Sequence, residues 1–214
     1  MYVPPHFAEA RVDVMHGLMH ERPFATLVTL SSGGIDANHI PLQLFPEPAP
    51  YGTLRGHVAR GNPVWRDLAG DVEALAIFQG PDAYITPSWY PQKRQDGKVL
   101  PTWNYAVVHA YGPLRIIDDP AWLRAQLEIL TARHEAASAE PWAMADAPRE
   151  FTEMRIGGIV GIEMVITRLT GKWKLSQNQA AQNRAGVVVG LREKGGAEAL
   201  EVAALVEAAG RDDR

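Results

Sequence analysis

The sequence predicts a mainly β, α+β protein: an antiparallel barrel of about seven short strands with three to five peripheral helices. Three observations carry this. Short apolar, β-branched runs recur between Gly, Pro and Asn turns, without the regular strand and helix alternation that a parallel sheet needs. Gly157 to Thr170 alternates, with Val160, Ile162, Met164 and Ile166 on one face and Gly161, Glu163, Val165 and Thr167 on the other. No GxGxxG, GxxxxGK[ST] or GxSxG is present, which removes the Rossmann, phosphate-loop and α/β-hydrolase readings.

In order, Ala8, Val12, Met15, Leu18 and Met19 fall on one helical face, and Pro23 stops that helix. Phe24–Leu30 and Ile35–Leu44 read as a hairpin around the Ser31–Gly34 turn, and Pro41 marks the second strand as an edge or a bulge. Thr53–Val58 is a short strand. Asn62 and Pro63 then open a helical stretch through Leu68, as N-cap and first helical residue. Glu73–Phe78 is a strand leading to a central hairpin whose second arm runs from Tyr105 to Ile117. Asp119 and Pro120 start a helix with Leu123, Leu127 and Leu130 on its core face. After the alternating strand, which Gly171 should end, helices are predicted at Gln179–Leu191 and Ala197–Ala209, the last with Leu200, Ala204 and Val206 among its apolar positions. The closing GRDDR reads as frayed. One domain over 1–192 and a helical extension over 193–214 account for the length.

The densest chemistry lies in Asp82–Tyr105, DAYITPSWYPQKRQDGKVLPTWNY. Trp89, Tyr90, Trp103 and Tyr105 alternate with Thr86, Ser88, Thr102 and Asn104, while Pro87, Pro91 and Pro101 predict extended backbone and Gly97 a turn at the tip. Flat apolar rings among hydroxyls and an amide suit a flat ligand with polar edges, although the same rings also serve a hairpin core.

Two other clusters favour an anion. Arg55, His57, Arg60 and Asn62 gather at a strand-to-helix junction, where free backbone N–H groups point outward, although a capped turn with solvated arginines reads equally well from these residues. In KWKLSQN, Lys172 and Lys174 stand two residues apart on a strand end, so both project to one side while Trp173 and Leu175 anchor the other. Ser176, Gln177 and Asn178 can add neutral hydrogen bonds.

The absence of Cys excludes disulfides, thiolate metal sites and a Cys nucleophile. His16 and His20 form a helical i,i+4 pair with no further ligand at metal spacing, so no metal site is expected. No apolar run reaches membrane length and no signal pattern opens the chain, which predicts a cytoplasmic protein. A net charge of −4 argues against binding nucleic acid through the overall field, and no basic recognition helix is visible.

Taken together, MYVPPHF (1–7), HIPL (39–42), GHVARGNP (56–63), ITPSWY (85–90), PTWNY (101–105) and KWKLSQN (172–178) resemble the PaiB family of FMN-binding negative transcriptional regulators. The resemblance runs to about Leu191 and leaves the last helix outside it. It implies an FMN-binding split β-barrel and a homodimer with the cofactor at its interface. It also implies a flavin site drawing on His57, Arg60, Asn62, Thr86, Ser88, Trp89, Tyr90, Thr102, Trp103, Asn104, Lys172, Lys174, Ser176 and Gln177. Two positions depart from the pattern: Leu100 stands where Val is expected, and Gln179 follows SQN where a basic residue is more usual.

Three functions follow from different classes. The first is a flavin-dependent oxidoreductase-like or flavin-sensing protein; no residue is compelled to be its acid, base or nucleophile. The second is a repressor acting on DNA directly or through a partner, which the charge does not support. The third, ranked below these, is haem binding or degradation with His57 or His134 as axial ligand.

Overall fold

The computed structural model describes residues 1–66 and 72–212. The chain divides into two compact units: Met1–Leu18, Gln79–Val108 and Thr170–Arg214 form the first, and Met19–Phe78 and His109–Leu169 the second. Every strand pairing whose register is given below is antiparallel. No helix among the described residues is long and apolar enough to cross a membrane.

In the first unit, strands β1 (Ala8–Glu9), β10 (Arg168–Lys174), β7 (Thr102–Gly112) and β6 (Ala74–Ile85) lie side by side in that order. The helix predicted from Ala8 begins later, as α1 (Val12–Glu21). Ala8 and Glu9 instead pair with Lys172 and Gly171, covering an edge of β10 that would otherwise stand open. Gly171 does not end a strand. It sits inside β10, where a Cβ would meet Met15 Sδ at 2.8 Å and the Glu9 carbonyl oxygen at 2.9 Å. The single alternating strand read from the sequence is thus two, β9 (Ile159–Val165) and β10.

The link from β6 to β7 holds a 3₁₀ turn at Pro87–Trp89 and the short α2 (Gln92–Gln95), with Gly97 at φ 70°. Pro87 and Pro91 start helical turns here, where their missing N–H is no loss, and do not extend the backbone as expected. Helices α5 (Ala181–Lys194) and α6 (Ala197–Asp212) pack on each other. Residues 213–214 of the predicted frayed end lie outside the described residues, while Gly210 is helical. The buried stripe of α6 is Ala199, Val202, Ala203 and Val206; of the apolar positions named from the sequence, Val206 is buried and Leu200 is exposed.

In the second unit, β2 (Phe24–Ser31) and β3 (Gly34–Pro41) form the predicted hairpin, in register from Phe24↔Pro41 to Ser31↔Gly34. The start of β6 pairs with the other side of β2, which leaves Pro41 on the strand at the end of the row. A four-stranded sheet follows, in the order β4 (Gln43–Phe45), β5 (Thr53–Ala59), β9 and β8 (Leu114–Ile117). Helices α3 (Pro120–Glu135) and α4 (Arg149–Gly157) complete the unit, around a core that includes Leu27, Leu54, Phe78, Leu123 and Ile162. Asp119 caps α3 by accepting from Ala121 N at 2.9 Å, as predicted. Asn62 accepts from Val64 N at 2.9 Å and caps a 3₁₀ turn, Pro63–Trp65. The predicted continuation to Leu68 lies outside the described residues.

Candidate functional site

Strand β10 ends in Lys172, Trp173 and Lys174, followed by Leu175. Trp173 and Leu175 are buried, which fixes the register and turns both lysines to the opposite face. Lys172 is itself buried; its Nζ donates to the Tyr2 carbonyl at 3.2 Å and lies 5.3 Å from the centre of the Tyr105 ring. Lys174 Nζ donates to the Trp103 carbonyl at 2.8 Å and to Thr102 Oγ1. Among the described residues neither ammonium has a carboxylate partner. Burial, and then the charge of Lys172, hold Lys174 below the ordinary lysine value.

Lys174 opens onto a cavity of about 370 Å³. Tyr90, Lys98, Thr102, Asn104, Ser176, Asn178 and Gln179 supply its polar lining, and Val99, Leu100 and Pro101 its apolar part. Tyr90 is 2% exposed and, among the described residues, its hydroxyl has no hydrogen-bond partner. Burial raises its pKa, so at neutral pH it keeps its proton and acts as a donor. Asn104, fully buried, donates to Ser176 Oγ at 2.9 Å and accepts from it at 3.2 Å. Ser176 has φ 64°, a left-handed conformation that a non-glycine residue rarely adopts without a local reason.

The other residues named from the sequence in this unit take supporting roles. Thr86 Oγ1 accepts from Ser88 N at 3.3 Å, and Ser88 Oγ accepts from Lys93 Nζ at 3.1 Å, together shaping the turn before Tyr90. Trp89 lies against α5, where a Cβ on Gly190 would fall 2.3 Å from the indole. Trp103 is half exposed and meets Tyr84 edge to face at 5.9 Å. Gln177 closes the turn after β10, accepting from Leu175 N at 2.7 Å and donating to the Trp173 carbonyl at 2.6 Å. Sequence reasoning missed Arg184, which donates to the carbonyls of Gln177 and Gln179 at 3.3 and 3.1 Å. A basic residue thus reaches this turn from α5, although Gln179 itself is neutral.

His57, Arg60 and Asn62 belong to the second unit. Arg60 makes four hydrogen bonds: Nε donates to the Gly157 carbonyl at 2.9 Å, Nη1 to Asp118 at 2.9 Å, and Nη2 to Asp118 at 2.5 Å and the Ile159 carbonyl at 3.1 Å. The pairing lowers the Asp118 pKa and raises that of Arg60. Asn62 Nδ2 donates to Asn38 Oδ1 at 2.6 Å. His57 Nδ1 lies 3.0 Å from Gln126 Oε1. Nearby, the register places Gln43, Arg55, Glu163 and Arg115 in one row across four strands. Glu163, 8% exposed, accepts from Arg55 at 2.9 Å and from Arg115 at 3.3 Å.

A family model described as "Putative FMN-binding domain" matches residues 1–168. Protease synthase and sporulation protein PAI 2 of Bacillus subtilis is 31% identical over 207 residues, covering 97% of each chain. The chain belongs to the PaiB family of FMN-binding proteins. An uncharacterized protein of Emericella nidulans is 34% identical over 91% of this chain and 92% of its own. Among solved structures, the flavocytochrome Anf3 of Azotobacter vinelandii superposes with a TM-score of 0.60 at 10% identity, over 80% of this chain and 72% of that one. The FAD and heme binding protein of Mycobacterium smegmatis gives 0.56 at 16% identity, over 78% and 73%. At such identities the likeness shows the fold alone, the antiparallel split barrel with peripheral helices. FMN is the cofactor of this PaiB-family chain.

The donor set of the first-unit cavity fits that cofactor. A lysine without a counter-ion suits a phosphate, and an unpartnered buried hydroxyl suits a polar atom of a bound ligand. A volume of about 370 Å³ is within the range of small-molecule sites.

Proposed function

We propose that this PaiB-family protein is a flavin-dependent oxidoreductase-like protein that holds the FMN phosphate at Lys174, with Tyr90, Asn104 and Ser176 serving the same cavity. The observation that carries this reading is a half-buried ammonium with no carboxylate partner, opening onto a cavity beside an unsatisfied hydroxyl. Bound FMN supplies the redox chemistry; the chain supplies binding, orientation and electrostatics. Lys174 attracts the phosphate, which favours its charged form, while the protonated Tyr90 donates and the Asn104–Ser176 pair ties β7 to the turn after β10.

The reading is tested by titrating the purified protein with FMN and with riboflavin, then adding NADH or NADPH anaerobically. Tighter binding of FMN by tenfold or more, and bleaching of the bound flavin, are expected. Equal affinities would remove the phosphate assignment, and a flavin that no pyridine nucleotide reduces would turn the reading toward sensing.

A homodimer with the cofactor at its interface belongs to the same proposal. The outward face of the β2–β3 hairpin supports it, because Phe24 and Ile35 are 67% and 80% exposed there. Sedimentation at micromolar concentration should show a dimer; a monomer would sink this part. Direct operator binding is the weaker reading, since two chains together carry twice −4, a formal charge of −8.

A further inference from the structure

The two polar walls of the first-unit cavity come from stretches distant in sequence, and one side chain behind them joins both. Tyr90 belongs to the link between β6 and β7, whereas Ser176 and Gln179 belong to the turn after β10. Asn183, in the first turn of α5, is fully buried. Its Nδ2 donates to Gln92 Oε1 at 3.0 Å and to Gln179 Oε1 at 3.3 Å, and its Oδ1 accepts from Gln92 N at 3.5 Å. Both amide hydrogens are therefore committed, one to each wall.

A buried amide that loses one partner is left with an unsatisfied group, which holds the contact to both walls at once. The rest of α5 acts in the same direction, because Arg184 donates to the carbonyls of Gln177 and Gln179 and Trp89 is seated against Gly186 and Gly190. Tyr90 is thus pinned on both sides along the chain, through Trp89 and through Gln92. Its own hydroxyl makes no hydrogen bond among the described residues, so no bond of its own sets where that group points. We propose that Asn183 is a positioning residue: its carboxamide fixes the Tyr90 segment against the Ser176–Gln179 turn and so sets where the Tyr90 hydroxyl stands in the cavity. The consequence for FMN rests on the reading that this cavity holds it.

The test follows the Tyr90 ring in the ligand-free protein by ¹³C NMR of labelled tyrosine, its resonance assigned with Tyr90→Phe, together with FMN and riboflavin titrations. Asn183→Ala and, as a milder cut at a half-buried position, Gln179→Met are compared with the wild type. In both variants the Tyr90 resonance is expected to move, and affinity for FMN and riboflavin to fall alike by about tenfold, since the Lys174 contact is untouched. Gln179→Met should add nothing further in Asn183→Ala, because the tie is already cut. A Tyr90 resonance that Gln179→Met leaves in place overturns the proposal, whether or not Asn183→Ala folds. So does an effect of Gln179→Met that keeps its full size in Asn183→Ala. A moved resonance with both flavin affinities unchanged would uphold the tie and remove instead the reading that this cavity holds the flavin.

Discussion

The end of β10 and the β5–β9 pair treat positive charge in opposite ways. In the second unit each cation named from the sequence has an anion: Arg60 is held by Asp118, and Arg55 shares the buried Glu163 with Arg115. In the first unit Lys172 and Lys174 sit two residues apart, and among the described residues they meet carbonyls, a hydroxyl and the Tyr2 and Tyr105 rings. A buried or half-buried charge is costly unless it is compensated. The paired arginines are therefore complete within the protein, while the lysines remain short of an anion. Residue type alone does not separate structural from ligand-binding cations; the identity of their partners does.

The comparison can be broken most directly at Lys174. Replacing it with Met should weaken FMN binding ten- to hundredfold, about 1.5–3 kcal/mol, and leave riboflavin nearly unchanged, as read by fluorescence titration. Equal loss for both ligands would place the phosphate elsewhere. On the other side of the comparison, Glu163→Gln leaves two guanidinium groups facing a neutral amide. Because Arg115 is largely exposed, the expected loss is about 2 kcal/mol in urea unfolding, with FMN affinity unaltered. Tyr90→Phe should weaken FMN by about fivefold, near 1 kcal/mol, and shift the absorption bands of the bound flavin. An unchanged spectrum would show that the hydroxyl meets no ligand.

Smaller still is a pH effect. With its pKa lowered in the folded state, Lys174 sheds its proton there at a lower pH than in the unfolded chain, whose value is the ordinary 10.5. Between the two values the unfolded state binds more protons, so ligand-free stability should rise with pH across that window. The rise should vanish in Lys174→Met. Asp118 gives the same sign of slope at the acid end: its lowered pKa contributes stability that is present above the ordinary carboxylate value and is lost as pH falls through the lowered one.

Much of this was legible in the chain. The β2–β3 hairpin, the edge at Pro41, the caps at Asn62 and Asp119 and the lysine spacing all follow from local rules that the structure obeys. What was not legible depends on contacts distant in sequence. Ala8 and Glu9 sit at the start of a good helical pattern, and only the presence of β10 beside them makes a strand. Gln126 looks like an ordinary polar position on α3, between Leu123 and Leu130, and nothing nearby in sequence announces His57.

The seat of Trp89 on Gly186 and Gly190 has a practical consequence. The family match ends at residue 168, which invites cutting the chain there. Such a fragment would keep the ITPSWY stretch and lose Lys172, Lys174 and Ser176. It would also lose the two glycines where added Cβ atoms would stand 2.0 and 2.3 Å from Trp89. An indole moulded to that helix would then face water beside the half of a cavity that remained. The stretch that the family model matches is shorter than the stretch that builds the cavity.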